Sequence, residues 1–262
     1  MEVIIRSSTE DATKLASRLI KKEMEAKPSL VLGLATGRTM ELLYSMLVEM
    51  HLHEGLSFNR ARTFNLDEYI GLPPEDAHSY RYYMNHHLFN RVNIDIRNTF
   101  LPNGMADDID EECALYEDKI RRCGGIDLQV LGVGMSGHIG FNEPLSAMLS
   151  RTRAKALTPQ TIEQNAPQFD DVAHMPKRAI TMGVGTILDS RRCIVLATGE
   201  SKATIIAKAV EGPVTSMISA TALQLHPKCT VIVDRAAATK LSQQEYYQWI
   251  FENEPEWQEY HK

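Results

Sequence analysis

Short apolar segments alternate with amphipathic helical segments along the whole of this 262-residue chain. Parallel strands must be joined by crossover connections, which are usually helices, so this alternation predicts a mostly parallel sheet flanked by helices, an α/β fold. The predicted strands are Val3–Ile5, Leu30–Leu34, Arg62–Phe64, Asp127–Val133, Cys193–Ala197 and Cys229–Val233. The predicted helices are one that starts near Ser8 and the segments Met40–Met50, Ser79–Phe89, Asp108–Arg122, Ser201–Val210 and Gln243–Phe251.

The chain shows no Gly-, Ser- or Pro-rich linker between two halves, so we expect a single domain over residues 1–262. The stretch 158–177 has weak periodicity and two interior prolines. It is either a mobile flap over the site or a surface crossing.

Composition excludes several classes of partner. The formal net charge of −6 and the absence of a long basic stretch argue against nucleic acid. The apolar runs are too short to span a bilayer, and the first residues resemble a strand rather than a signal peptide. Four separated cysteines without a C-x-x-C pair predict a reduced, cytoplasmic protein.

The turn Thr36–Thr39, between a predicted strand and a predicted helix, is a candidate phosphate site. A helix N-terminus offers unpaired N–H groups and partial positive charge. Gly37 lets the backbone approach a ligand, the two threonine hydroxyls are donors, and Arg38 suits a bidentate contact. The segment Leu196–Gly199 repeats the tetrapeptide Leu34–Gly37 and leads to Lys202, another candidate phosphate partner. An ordinary capped turn is the alternative.

Two adjacent carboxylates, Asp67 and Glu68, follow the predicted strand Arg62–Phe64. Neighbours in an extended segment point in opposite directions, so we expect one to face a ligand and the other to make a structural contact. Partial burial would raise the pKa of a carboxylate towards the range of a general base. A pair of turn or capping acids is the alternative.

The segment Gly132–Gly137 matches G-x-G-x-x-G after a strand, but the residues after this segment argue against a dinucleotide site. Pro144 limits any helix to about two turns, and no acid lies about 20 residues downstream at a strand end. We expect a tight loop close to a ligand. His138 lies in this loop, and Ser136 and Glu143 are near enough in sequence to orient its ring for proton transfer. A structural histidine is the alternative, and the remaining histidines show no metal-ligand spacing.

Several motifs together resemble the glucosamine-6-phosphate deaminase family over nearly the whole chain. They are Asn65–Tyr69 followed by Gly71-Leu72, the string Gly137–Pro144, Ser150–Arg153 and Leu223–His226. The resemblance implies a Rossmann-like fold without a nucleotide. It also implies conversion of glucosamine 6-phosphate and water to fructose 6-phosphate and ammonia, with no metal or organic cofactor.

The resemblance also implies roles for individual residues. Asp67 matches the acid that moves a proton between C2 and C1 of the open sugar. His138 matches the histidine that opens the pyranose ring, and Glu143 matches its supporting acid. Thr36, Gly37 and Thr39 match the phosphate turn, with Lys202 as its lysine. Arg153 and Lys155 match two residues of a regulatory pocket for N-acetylglucosamine 6-phosphate in some hexameric relatives. The resemblance also implies a homo-oligomer.

This chain departs from the family pattern at three places. Ser136 stands where the family usually has Asp or Asn, so we expect the ring of His138 to be held less firmly. Arg38 stands where the family turn has a small residue, and the segment 165–169 lacks the arginine that the family often supplies from its flap. We expect Arg38 to replace that arginine. The departures also permit a shift of substrate, for example to galactosamine 6-phosphate.

Two further functions stay open. A sugar-phosphate lactonase or isomerase of related fold would need His138 but little of Asp67, whereas the intact Asp67–Tyr69 segment favours isomerisation and deamination. A non-catalytic sugar-phosphate sensor usually carries a DNA-binding segment, and none is visible in the sequence. The substitution at Ser136 is the one hint towards lost catalysis.

Overall fold

The strands of the computed structural model, which describes residues 1–169 and 175–261, form two sheets. The strands are β1 (Glu2–Arg6), β2 (Val31–Leu34), β3 (Arg62–Asn65), β4 (Asp67–Tyr69), β5 (Thr99–Phe100), β6 (Leu128–Leu131), β7 (Arg153–Ala156), β8 (Arg178–Thr181), β9 (Arg192–Ala197) and β10 (Cys229–Asp234). The main sheet has seven strands in the order β1-β10-β9-β6-β2-β3-β5. All of its neighbouring strands are parallel, which confirms the predicted α/β class.

Helices connect these strands. The α-helices of the described residues are α1 (Thr9–Ala26), α2 (Arg38–Glu54), α3 (Tyr80–His87), α4 (Ile109–Arg122), α5 (Pro159–Asn165), α6 (Val184–Leu188), α7 (Ala203–Glu211), α8 (Arg235–Ala238) and α9 (Gln244–Asn253). The Ser8 side chain caps α1 by accepting from the amide of Asp11, as the sequence predicts. None of the helices in the described residues is long and apolar enough to cross a membrane.

A small second sheet was not predicted. Its order is β4-β8-β7, and both pairs are antiparallel. The sequence places Asp67 at the end of the strand before it, but the structure gives it a strand of its own. Leu66 separates the two strands, and its amide still bonds to the carbonyl of Leu34. β4 is only three residues long, and β7 carries an arginine and a lysine, so neither has the apolar pattern of a buried strand.

Two apolar clusters hold these layers together. The larger one lies between the main sheet and its flanking helices. The smaller one lies beside the second sheet and consists of Tyr69, Phe141, Leu157, Met175 and Ala179. Because this cluster joins β4 to the loop after β6 and to the chain on either side of α5, it ties together the segments that carry the candidate site.

The predicted flap at 158–177 contains more regular structure than its weak periodicity indicates. Thr158 caps α5 through its side chain, and Pro159 occupies the first turn, where a missing N–H costs nothing. A 3-10 turn follows over Ala166–Gln168. The part of the predicted flap at 170–174 lies outside the described residues, and mobility of the flap remains a prediction.

Candidate active site

Four neighbouring strands of the main sheet bring the predicted site residues to one edge. β9, β6, β2 and β3 are adjacent and parallel, so the loops after their carboxyl ends meet there. Contacts between the loops show this meeting. Lys202 donates from Nζ to the carbonyl of Val133, at 2.8 Å, which joins the loops after β9 and β6. A methyl group on Gly140, two residues after His138, would lie 3.3 Å from Oδ2 of Asp67.

The first turn has the geometry of an anion site. Gly37 adopts a φ of 108°, which favours glycine, and directly precedes α2. Its carbonyl accepts from the Tyr83 hydroxyl at 2.9 Å and from the Met40 amide at 2.8 Å. The amides of Gly37, Arg38 and Thr39 have no acceptor among the described residues. They are therefore free to bind an anion.

The side chains of this turn differ in exposure. Thr36 and Thr39 are partly buried, and Arg38 is exposed. Within the described residues, the guanidinium of Arg38 makes neither a hydrogen bond nor an ion pair. Arg38 is thus available to a ligand bound at the turn.

The second copy of the tetrapeptide is not equivalent to the first. Gly199 also has a positive φ, 88°, but its amide already donates to the carboxylate of Asp234, at 3.0 Å from Oδ2. The contribution of this turn is Lys202, whose Nζ is directed towards the loop after β6. Burial lowers the pKa of Lys202.

Asp67 and Glu68 have different surroundings, as their adjacency predicts. The Glu68 carboxylate accepts from the amides of Tyr69, Tyr80 and Arg81, all at 2.9 Å, so it caps α3. No described residue donates a hydrogen bond to the Asp67 carboxylate, which is only 6% exposed. Its burial, assisted by the negative charge of Glu68, raises the pKa of Asp67 to about 8. Asp67 is therefore a buried carboxyl group that can exchange a proton near neutral pH.

His138 is held through one ring nitrogen. Its Nδ1 lies 2.9 Å from Oγ of Ser136 and 3.2 Å from Oε2 of Glu143. Burial alone would raise the pKa of Glu143, but hydrogen bonds from His138 and Thr161 outweigh burial and lower it to about 2. An ionised carboxylate only accepts, so Nδ1 carries a proton, and in the neutral ring Nε2 then has a free lone pair.

Gly134 makes room for the imidazole, a contact that the sequence does not predict. A methyl group on Gly134 would fall 2.0 Å from Nε2 of His138. The chain between β6 and β7 forms turns without a helix, so the G-x-G-x-x-G string is not a dinucleotide fingerprint here. Among the described residues, no group of His, Cys, Asp and Glu side chains is arranged to hold a metal ion.

Two residues of the site were not predicted from sequence. Thr158 and Thr161 donate from their hydroxyls to Oε1 of Glu143. The cap position before Pro159 is the only sequence signal for Thr158, and Thr161 has none.

The two predicted regulatory residues lie on β7. Arg153 donates from its guanidinium to Oδ1 of Asn142 at 2.9 Å and to Oγ of Ser146 at 3.0 Å. Lys155 lies two positions further along and is partly exposed. Arg153 thus contacts Asn142 and Ser146, which lie on either side of Glu143 in the sequence. Neither contact is directed at the space between Asp67 and His138.

Comparison with known protein families settles the relationship. Residues 6–232 match the family model described as glucosamine-6-phosphate isomerases/6-phosphogluconolactonase. The chain belongs to this family. Among curated members, a glucosamine-6-phosphate deaminase of Hahella chejuensis is 49% identical over 250 residues, which cover 95% of both chains. A deaminase of Thermoanaerobacter pseudethanolicus is 45% identical over 239 residues, 91% of this chain and 94% of its own.

Solved members of the family share the fold. A protein described as a monomeric glucosamine-6-phosphate deaminase superposes with a TM-score of 0.90 at 42% identity, over 92% of this chain and 100% of its own. The 6-phosphogluconolactonase from Trypanosoma cruzi gives a TM-score of 0.74 at 22% identity, over 92% and 97% of the two chains. The second comparison supports the fold alone.

Proposed function

We propose that this family member is a glucosamine-6-phosphate deaminase, which converts glucosamine 6-phosphate and water to fructose 6-phosphate and ammonia. The observation that carries the proposal is the Asp67 carboxylate, buried without a hydrogen-bond donor among the described residues and packed against the loop of His138. Isomerisation of an aldose to a ketose must move a proton between two carbon atoms, which requires such a base. Lactone hydrolysis moves no carbon-bound proton and has no use for it.

The substrate phosphate binds at the turn Thr36–Thr39 in this proposal. The three free amides and the N-terminus of α2 supply fixed donors. Arg38 adds a charged donor from the exposed side, and Lys202 adds a second cation from the loop after β9. These contacts place the sugar between His138 and Asp67.

His138 opens the pyranose ring. Its Nε2 takes the proton from the hydroxyl on C1 and delivers a proton to the ring oxygen, so that the C1–O5 bond breaks and an aldehyde forms. Glu143 stays ionised and stabilises the positive charge that the ring carries between the two transfers. Ser136 is the second neighbour of Nδ1.

Asp67 then carries out the isomerisation. Its carboxylate removes the proton from C2, and the same group returns a proton to C1, while a proton passes from the amino group to O1, which leaves an imine at C2 and a hydroxyl on C1. Water adds to the imine carbon, and the C–N bond breaks to release ammonia and form the ketone. Atoms balance with water as the only co-reactant.

The other expectations from the resemblance are part of the proposal. The half-buried guanidinium of Arg153 has neutral partners and no carboxylate partner among the described residues, which supports an anion-binding role there with Lys155. A homo-oligomer, a single domain, a cytoplasmic location and the lack of a cofactor remain predictions.

A direct assay tests the function. The purified protein is incubated separately with glucosamine 6-phosphate, galactosamine 6-phosphate and 6-phosphogluconolactone, and ammonia, ketose 6-phosphate and acid release are measured. We expect equimolar ammonia and fructose 6-phosphate from the first substrate. Faster reaction of galactosamine 6-phosphate would identify that epimer as the preferred substrate. Lactone hydrolysis without ammonia would contradict the proposal, and binding without any turnover would indicate a sensor.

A further inference from the structure

Glu143 is shared between the catalytic loop and the start of α5. Its Oε2 faces Nδ1 of His138 at 3.2 Å. Its Oε1 accepts from the Thr158 amide at 3.3 Å, from the Thr158 hydroxyl at 3.2 Å and from the Thr161 hydroxyl. One carboxylate oxygen of Glu143 therefore contacts the histidine, and the other accepts hydrogen bonds from the start of α5. Both Glu143 and Thr161 are almost fully buried, at 3% and 2% exposure.

The donors from α5 compensate for the burial of this carboxylate. A buried carboxylate without donors takes up a proton, because the charged form loses its hydration. The hydroxyl of Thr161 is one of the groups that hold the pKa of Glu143 at about 2. A protonated or rotated Glu143 would no longer accept from Nδ1, and the proton of the imidazole would be free to move to Nε2. His138 would then lack the lone pair that ring opening requires.

The other end of α5 contacts the strand of Asp67. Asn165 donates from Nδ2 to the hydroxyl of Tyr69, at 3.0 Å, and Tyr69 lies two positions after Asp67 in β4. Thr158 also caps α5 by accepting from the amide of Thr161, at 3.3 Å. The seven-residue helix α5 therefore contacts Glu143 at one end and β4, the strand of Asp67, at the other.

We propose that Thr161, assisted by Thr158, is a positioning residue that holds Glu143 against Nδ1 of His138 when α5 is seated on the site. The seating of this helix is thereby coupled to the proton arrangement of the histidine. The catalytic part of this proposal rests on the proposed function. The segment after β7 thereby has a role in catalysis that its sequence does not indicate.

The test compares Thr161→Val, Thr161→Ser and a matched control. Thr161→Val keeps the shape and removes the hydroxyl, whereas Thr161→Ser keeps the hydroxyl. The control is Thr186→Val, because Thr186 is equally buried and its hydroxyl donates to the carboxylate of Glu117, at 2.6 Å. Steady-state kinetics with glucosamine 6-phosphate gives kcat and KM separately. Circular dichroism and Tm measurements establish that each variant is folded.

We expect Thr161→Val to lower kcat by about 10-fold, because the loss of a hydrogen bond to a charged group has an effect of about that size. KM should change by less than about 2-fold. Thr161→Ser should recover kcat to within about 3-fold of the parent protein, and Thr186→Val should leave kcat within about 2-fold. An unchanged kcat in Thr161→Val, or an equal loss in Thr186→Val, would overturn the proposal.

A second measurement separates this proposal from the proposed function. The ¹⁵N chemical shifts of His138 in the substrate-free protein report which ring nitrogen carries the proton, whether or not the protein turns over any sugar. We expect Thr161→Val to shift protons from Nδ1 to Nε2 and Thr186→Val to leave them in place. Unchanged shifts in Thr161→Val would overturn the positioning role even in an active deaminase. Changed shifts in a protein without deaminase activity would support the positioning role and contradict the function alone.

Discussion

The Nε2 atom of His138 lies so close to Gly134 that a methyl group added on this glycine would fall 2.0 Å from it. Gly134→Ala should therefore displace the imidazole and lower kcat by about 100-fold, because misplacement of a catalytic group by about 1 Å has an effect of that size. Gly132→Ala is the matched control, since its added methyl group would meet only Cε of Met40, at 3.6 Å. Steady-state kinetics of the two folded variants checks this. Equal activity in both would show that the close approach of His138 to Gly134 has no catalytic importance.

The neighbours of Nδ1 should contribute unequally. Ser136→Ala removes a neutral group and should lower kcat by about 3-fold or less, whereas Glu143→Gln removes a charge and should lower it by about 30-fold or more. The ratio of the two kcat values is the measurement. A larger loss in Ser136→Ala than in Glu143→Gln would mean that the serine, not the carboxylate, orients the ring. The expectation that Ser136 holds the ring less firmly than an acid does remains a prediction.

Arg38 should act on binding rather than on chemistry. Arg38→Ala removes an exposed charged donor beside the phosphate turn, so KM for the sugar phosphate should rise by about 10-fold with kcat within about 2-fold. Arg60→Ala is the control, because Arg60 is also exposed but precedes β3, at the opposite edge of the sheet. An unchanged KM in Arg38→Ala would show that the turn binds its ligand without this arginine.

The titration of Asp67 should appear in both activity and stability. If Asp67 is the base, kcat/KM should fall as the pH drops below about 8, because the carboxyl group then gains its proton. Its folded pKa is raised, so the folded state prefers the protonated group. The stability that this preference provides is full below the ordinary pKa of 3.8 and is lost as the pH rises through about 8.

Asp67→Asn should consequently unfold at a higher temperature than the parent protein at pH 9. We expect a gain of about 1–3 kcal/mol in the free energy of unfolding at that pH and little difference at pH 4. Denaturant unfolding at the two pH values checks this prediction. Lower stability of Asp67→Asn at pH 9 would mean that the carboxylate is well solvated or paired in solution.

Local patterns were sufficient to predict the parallel sheet and the residues at its edge. The apolar segments before Thr36, Asp67 and His138 contain the strands β2, β3 and β6 of the main sheet. The order of these strands in the sheet brings the three residues to the same edge. The second sheet was missed because its pairing depends on contacts between distant segments, such as Asp67 with Thr181. No local pattern encodes such a register.

The supporting contacts of the site were missed for the same reason. Thr161 meets Glu143 across 18 positions of sequence, and the amide of Gly199 is occupied by Asp234 from another strand. The repeated tetrapeptide therefore does not reveal that only the first copy leaves its glycine amide without an acceptor among the described residues. Glycine spacing marked a tight loop, but only the folded position of His138 shows why Gly134 must be glycine.

The most direct test of the central claim is the turnover of glucosamine 6-phosphate by Asp67→Asn, measured as fructose 6-phosphate formed, with substrate affinity measured by calorimetry. We expect turnover to fall by about 1,000-fold or more, because the general base is lost, and Kd to change by less than about 3-fold. Turnover close to that of the parent protein would contradict the assignment of Asp67 as the base and, with it, the proposed reaction at this site.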